Sequence, residues 1–126
     1  MIWIWVAAGA ALGGVMRYGA GVGAGRLGLT AFPWATLFVN ILGSAFIGFF
    51  ATVTGDQGRV VARPEFRMFV LTGVCGGFTT FSSFSLETMR LIEDREWMLA
   101  SLNASGSLAL CLLAVFAGAA AGAFVN

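Results

Sequence analysis

The chain has 126 residues, 59% of them hydrophobic and only 10% charged, with a formal net charge of +1. Globular domains carry about 25% charged residues, so the composition excludes an ordinary soluble domain and points to a bilayer. There is no histidine, and the two cysteines, Cys75 and Cys111, both fall inside apolar runs; this leaves a pH switch, a metal cluster, a disulfide framework and hydrolytic machinery without support, and no enzyme is expected.

From Ile2 to Gly25 a single charge, Arg17, interrupts an apolar segment of about the twenty residues that a bilayer crossing requires. The run is longer than a signal-peptide core and lacks a basic leader and a small-residue cleavage site, so a retained span over about 2–25 is expected. Arg17 costs about 2.5–3.5 kcal/mol at a helix centre and must face protein or water. Snorkelling toward the interface near Gly25, or a vestibule position, is the simpler expectation, and a direct place in an ion path is the other. Gly19 and Gly23 form a small-xxx-small pair suited to close helix packing.

Pro33 sits where a first helical residue tolerates proline, and the second span covers about 33–54. Thr36, Asn40, Ser44 and Gly48 recur every four residues along one edge of it. The Asn40 amide carries two N–H donors and lies away from either interface; it serves either an ion or an interhelical hydrogen bond. Gly55 to Pro64 then reads as an aqueous loop.

The third span, about 66–89, does not read as a plain membrane helix. Its middle holds Gly76 and Gly77, then hydroxyls at Thr79, Thr80, Ser82, Ser83 and Ser85, with Phe81 and Phe84 among them. Adjacent glycines weaken a helix by roughly 1 kcal/mol each, and backbone freed at membrane depth survives only where protein or a water-filled cavity receives it. A helix broken near its middle and lining an ion path is expected; a kinked packing helix with back-bonded hydroxyls is the plainer alternative. Glu93, Asp94, Arg95 and Glu96 read as a solvated loop. The fourth span, about 97–125, places Asn103 and Ser107 on one face and offers Gly118 and Gly122 as a second close-packing pair. Trp3, Trp5, Trp34 and Trp97 fall near span ends, as an aromatic belt predicts.

Four spans put both termini and the second loop on one side. Arg59, Arg63 and Arg67 then balance Arg26, Arg90 and Arg95, so no orientation is preferred. A chain that inserts both ways can pair as a dual-topology antiparallel homodimer within lipid, and four helices alone enclose little polar pathway. The fold class expected is therefore an all-α membrane protein of one domain, with four transmembrane helices and the third broken. No nucleic-acid partner is expected.

An ion leaving water needs replacement ligands. Ring edges of Phe81 and Phe84 are positive, and the Asn40 amide with the hydroxyls of Thr79, Thr80, Ser82, Ser83 and Ser85 can donate hydrogen bonds, which suits a small anion. Carbonyls near Gly76 and Thr79, freed from the helical ladder, offer the opposite chemistry as well and can coordinate a small structural cation.

The order Gly-Gly-Phe-Thr-Thr-Phe-Ser-Ser-Phe-Ser over residues 76–85 resembles the signature of the fluoride channels called Fluc or CrcB. The likeness extends to Gly13-Gly14 with Arg17-Tyr18, and to Thr36-Leu37-Phe38-Val39-Asn40 followed by Gly43-Ser44. The resemblance implies a dual-topology antiparallel homodimer in the cell membrane, with two pathways that let fluoride leave the cytoplasm passively. By motif position Asn40 looks like the pore asparagine, Phe81 and Phe84 like the paired pore phenylalanines, and Ser82, Ser83 and Ser85 like the polar track. Carbonyls of Gly76 and Thr79 look like a central sodium site, and Glu87 like a carboxylate near a pore end. Where many relatives have a tyrosine, this chain has Asn103. The rival reading, a proton-coupled small multidrug transporter, needs a carboxylate in the first span, and none is present.

Overall fold

A computed structural model describes residues 1–126, and every regular element in it is helical. Helix α1 spans Ile2–Arg26. It closes on Gly28, whose φ of 71° only glycine adopts freely, and the Leu29 amide then donates to the Ala24 carbonyl at 3.0 Å. Helix α2 spans Trp34–Val53, with Pro33 just outside it and the Pro33 carbonyl accepting from the Leu37 amide. The next apolar stretch is composite. Helix α3 (Pro64–Met68) starts on proline, continues as a π-helix over Phe69–Cys75, and returns to α geometry in α4, Gly76–Phe78. Thr79 and Thr80 are extended, with ψ of 160° and 119°. Helix α5 (Phe81–Glu93) follows, then a turn in which Arg95 takes φ 61°, and α6, Trp97–Val125.

Three segments are long and apolar enough to cross a membrane: Trp34–Val53, Pro64–Glu93 and Trp97–Val125. The fourth expected span, α1, has the length at 25 residues, but Arg17, Tyr18 and its glycines dilute its hydropathy. Only 17 of the 126 residues are buried, while Trp3, Phe116 and Phe124 are 86%, 71% and 96% exposed. So much exposed aromatic surface is tolerated in lipid and not in water, consistent with a multi-pass membrane protein.

Helices pair by glycine. A Cβ on Gly48 would collide with the Val115 carbonyl, and one on Gly118 with the Ala45 carbonyl, so α2 and α6 lie backbone against backbone. On the other side α1 packs on the π-helix and α4 through Gly9, Gly13, Gly73 and Gly77. The Gly118 and Gly122 pair packs as expected. Gly19 and Gly23 do not, since a Cβ on either would meet no other segment of the chain within 4 Å; the packing glycines of α1, Gly9 and Gly13, lie ten residues earlier, nearly three turns. The side chain of Asn126 accepts from the Arg59 amide and donates to the Thr52 carbonyl, holding the far end of α6 against the second loop.

Candidate functional site

The two helix pairs meet around the extended residues, and one side chain sets their geometry. The Thr80 amide donates to Asn40 Oδ1 at 2.7 Å, and Asn40 Nδ2 donates to the Thr80 carbonyl at 3.0 Å. In a continuous α-helix that amide would go to the Gly76 carbonyl. The Ser83 amide, which would go to the Thr79 carbonyl, is capped instead by Thr80 Oγ1 at 3.1 Å. The carbonyls of Gly76 and Thr79 therefore lose their i+4 donors, while the Gly77 carbonyl between them is taken by Arg17 Nε at 3.0 Å. Free carbonyl oxygens are the ligands that a hard cation takes, so the chemistry of this donor set fits sodium.

The glycine pair is not where the chain unwinds. Gly76 has φ −64° and ψ −35°, and Gly77 is helical as well. Gly77 serves a close approach to Ala10 on α1; the Thr79 amide still donates to the Cys75 carbonyl, and the chain leaves the helix from there into Thr80, whose amide and carbonyl Asn40 takes in place of the helical ladder.

A cleft of ≈ 340 Å³ opens beside this crossing, with Asn40, Ser44, Gly76, Thr79, Thr80, Phe81, Phe84 and Ser107 among its walls. The Phe81 and Phe84 rings lie 5.3 Å apart between centroids and tilt by 47°. Phe81 is 79% exposed, so the cleft is open on its side.

Several expected site residues stand elsewhere. Ser82, Ser83 and Ser85 do not line this cleft. Ser82 and Ser83 hydroxyls cluster on Thr80 Oγ1 at 3.2 and 3.1 Å, and Ser85 Oγ donates to the Phe81 carbonyl at 2.9 Å. Arg17 does not snorkel: its bond to Gly77 holds it on the α1 side, outside the cleft. Glu87 lies one end further along α5, where Oε1 accepts from Thr36 Oγ1 at 2.8 Å and Oε2 is buried without a partner. It borders a second hollow of ≈ 640 Å³ shared with Arg90, Asp94 and Glu96.

Sequence reasoning missed Thr88. Its hydroxyl donates to the Phe84 carbonyl at 2.8 Å and accepts from Asn103 Nδ2 at 2.8 Å, and Ser107 Oγ donates on to Asn103 Oδ1 at 3.2 Å. Asn103 is 1% exposed. The four-residue spacing of Phe84 and Thr88 was the available signal, since it puts both on one face of α5.

A family model described as "CrcB-like protein, Camphor Resistance (CrcB)" matches residues 4–119. The chain is 51% identical over 121 residues to the "Fluoride-specific ion channel FluC" of Paramagnetospirillum magneticum, covering 96% of this chain and 94% of that protein. It is 50% identical over 126 residues to the protein of the same name in Opitutus terrae, covering 99% and 95% of the two chains. It is 46% identical over 127 residues to that of Rhodospirillum rubrum, covering 100% and 98%.

Proposed function

The chain belongs to the CrcB family, and from that membership we propose that it is a fluoride-selective ion channel that lets fluoride leave the cytoplasm passively and so protects the cell from it. The observation that carries the reading is the meeting of Asn40 with extended Thr80 beside the paired rings of Phe81 and Phe84, in one cleft. Amide hydrogens and ring edges are both electropositive, and neither is a full charge that would hold the anion too tightly. The track continues along α5 through Ser82, Ser83 and Ser85 toward Glu87.

The working unit is an antiparallel homodimer in lipid. Supporting this are the even division of arginines between the two sides and the open side of the cleft at Phe81, which a second copy would close. Carbonyls of Gly76 and Thr79 would hold a sodium ion, which supplies a fixed positive charge between the extended segments of the two copies. Arg17 positions these carbonyls from behind by engaging Gly77.

Purified protein in liposomes loaded with potassium fluoride, with a potassium ionophore to balance charge, tests the function. Rapid fluoride release without comparable chloride release is expected. Proton-driven drug exchange without fluoride release would overturn it.

A further inference from the structure

The hydrogen-bond donors along the cleft divide into engaged and free. Thr79 Oγ1 donates to the Cys75 carbonyl at 2.9 Å, and Ser107 Oγ donates to Asn103 Oδ1 at 3.2 Å. Thr80 Oγ1 is held in the cluster with Ser82 and Ser83. Asn40 has one Nδ2 hydrogen on the Thr80 carbonyl and one left over. Ser44 is the exception among the hydroxyls: it is half-buried, lines the cleft, and bonds to no other group of the chain.

That freedom is unusual for a hydroxyl on an apolar helix, which ordinarily bonds back to the carbonyl four residues earlier. Thr52, Ser85 and Ser105 all do so here. Ser44 does not bond back to Asn40, and its hydroxyl is left for the cleft. Asn40 and Ser44 lie four residues apart on one face of α2, about 6 Å at helical rise, and line the cleft together with Phe81 and Phe84. Between them Gly43 lets α2 come so close that a Cβ there would collide with the Thr79 methyl.

We propose that Ser44 is an anion ligand of this channel, its hydroxyl and the second N–H of Asn40 forming a donor pair on α2. The proposal rests on the fluoride reading of the same cleft. It adds a hydroxyl on α2, inside the cleft, ahead of the serines of α5 along which the track continues. A single hydroxyl donor, compact and unable to spread its charge, favours a small, strongly accepting anion over a larger one, so Ser44 also determines specificity.

The test compares Ser44→Ala, Ser44→Thr and Ser105→Ala with the unaltered protein in fluoride-loaded liposomes, each first checked for assembly by size-exclusion chromatography. Removing one hydrogen bond to a charged group is expected to slow fluoride release about tenfold and to raise the fluoride concentration for half-maximal flux. Ser44→Thr, which keeps the hydroxyl, is expected to stay within about twofold. Ser105 lies outside the cleft and its alanine variant should match the unaltered protein. Equal flux in Ser44→Ala and the unaltered protein would overturn the assignment of Ser44 while leaving the fluoride reading intact. Equal loss in Ser44→Ala and Ser44→Thr would overturn it too, by tracing the effect to packing. An unaltered protein that releases no fluoride would instead overturn the fluoride reading itself.

Discussion

Asn40 holds Thr80 by both of its backbone polar groups, as a neighbouring strand would: amide to Oδ1 at 2.7 Å, carbonyl to Nδ2 at 3.0 Å. Asn40→Asp keeps the acceptor, removes the donor, and sets a carboxyl group against the Thr80 carbonyl. Fluoride flux should fall at least a hundredfold, and unfolding in detergent should cost about 1–3 kcal/mol less, the usual penalty for an unpaired buried polar group. Flux and thermal unfolding measured on one preparation check both.

Phe81 separates function from stability in the opposite way. At 79% exposed it contributes little to the packing of a single chain, so Phe81→Ile should shift the unfolding of monomer in dilute detergent by no more than about 0.5 kcal/mol. Fluoride release should nevertheless be abolished, because an aliphatic side chain has no positive edge. Unchanged release would remove the ring from the pathway.

The glycines should divide sharply. Gly118→Ala places a methyl group on the Ala45 carbonyl and should cost about 1–3 kcal/mol. A Cβ on Gly106 would meet no other segment within 4 Å, and Gly106→Ala should be neutral or stabilise by up to about 1 kcal/mol. Thermal midpoints of the two variants give the comparison.

Replacing sodium with a large organic cation should lower the unfolding temperature and slow flux, because a ligand bound only by the folded state stabilises it by mass action. Titrating sodium back should restore both along one curve. No dependence on sodium would show that the Gly76 and Thr79 carbonyls hold no cation.

Thr88 and Asn103 can be tested as a pair. Thr88→Val alone leaves Asn103 Nδ2 unpaired in a buried position and should cost about 1–3 kcal/mol. Thr88→Val with Asn103→Leu should cost less than the sum of the two single changes, since both polar partners are gone together.

Much of this was legible one residue at a time, and the remainder was not. Hydropathy marked four spans, three of which are long and apolar enough to cross a membrane by themselves, and of the run of hydroxyls and rings Thr79, Thr80, Phe81 and Phe84 line the cleft. The position of the extended residues was not local information: Gly76 and Gly77 have the lowest helix preference, yet the helix gives way at Thr79 and Thr80 because Asn40 arrives from forty residues earlier in the chain. Nor could spacing tell Gly9 and Gly13, pressed on the π-helix, from Gly19 and Gly23, where a Cβ would meet no other segment. Hydroxyl direction was the least legible feature. Ser85 and Ser44 look alike in sequence, but one turns back on the Phe81 carbonyl and the other does not turn back at all.

The π-helical stretch Phe69–Cys75 carries a phase offset that its neighbours inherit. Its wider hydrogen-bond spacing accommodates one surplus residue relative to an α-helix, so deleting a single position there would let the winding tighten into ordinary pitch and would turn Gly77 off Ala10 of α1. Each extra residue corresponds to about 100° of rotation, and the offset therefore fixes the compass bearing at which everything downstream of Cys75 leaves the stretch.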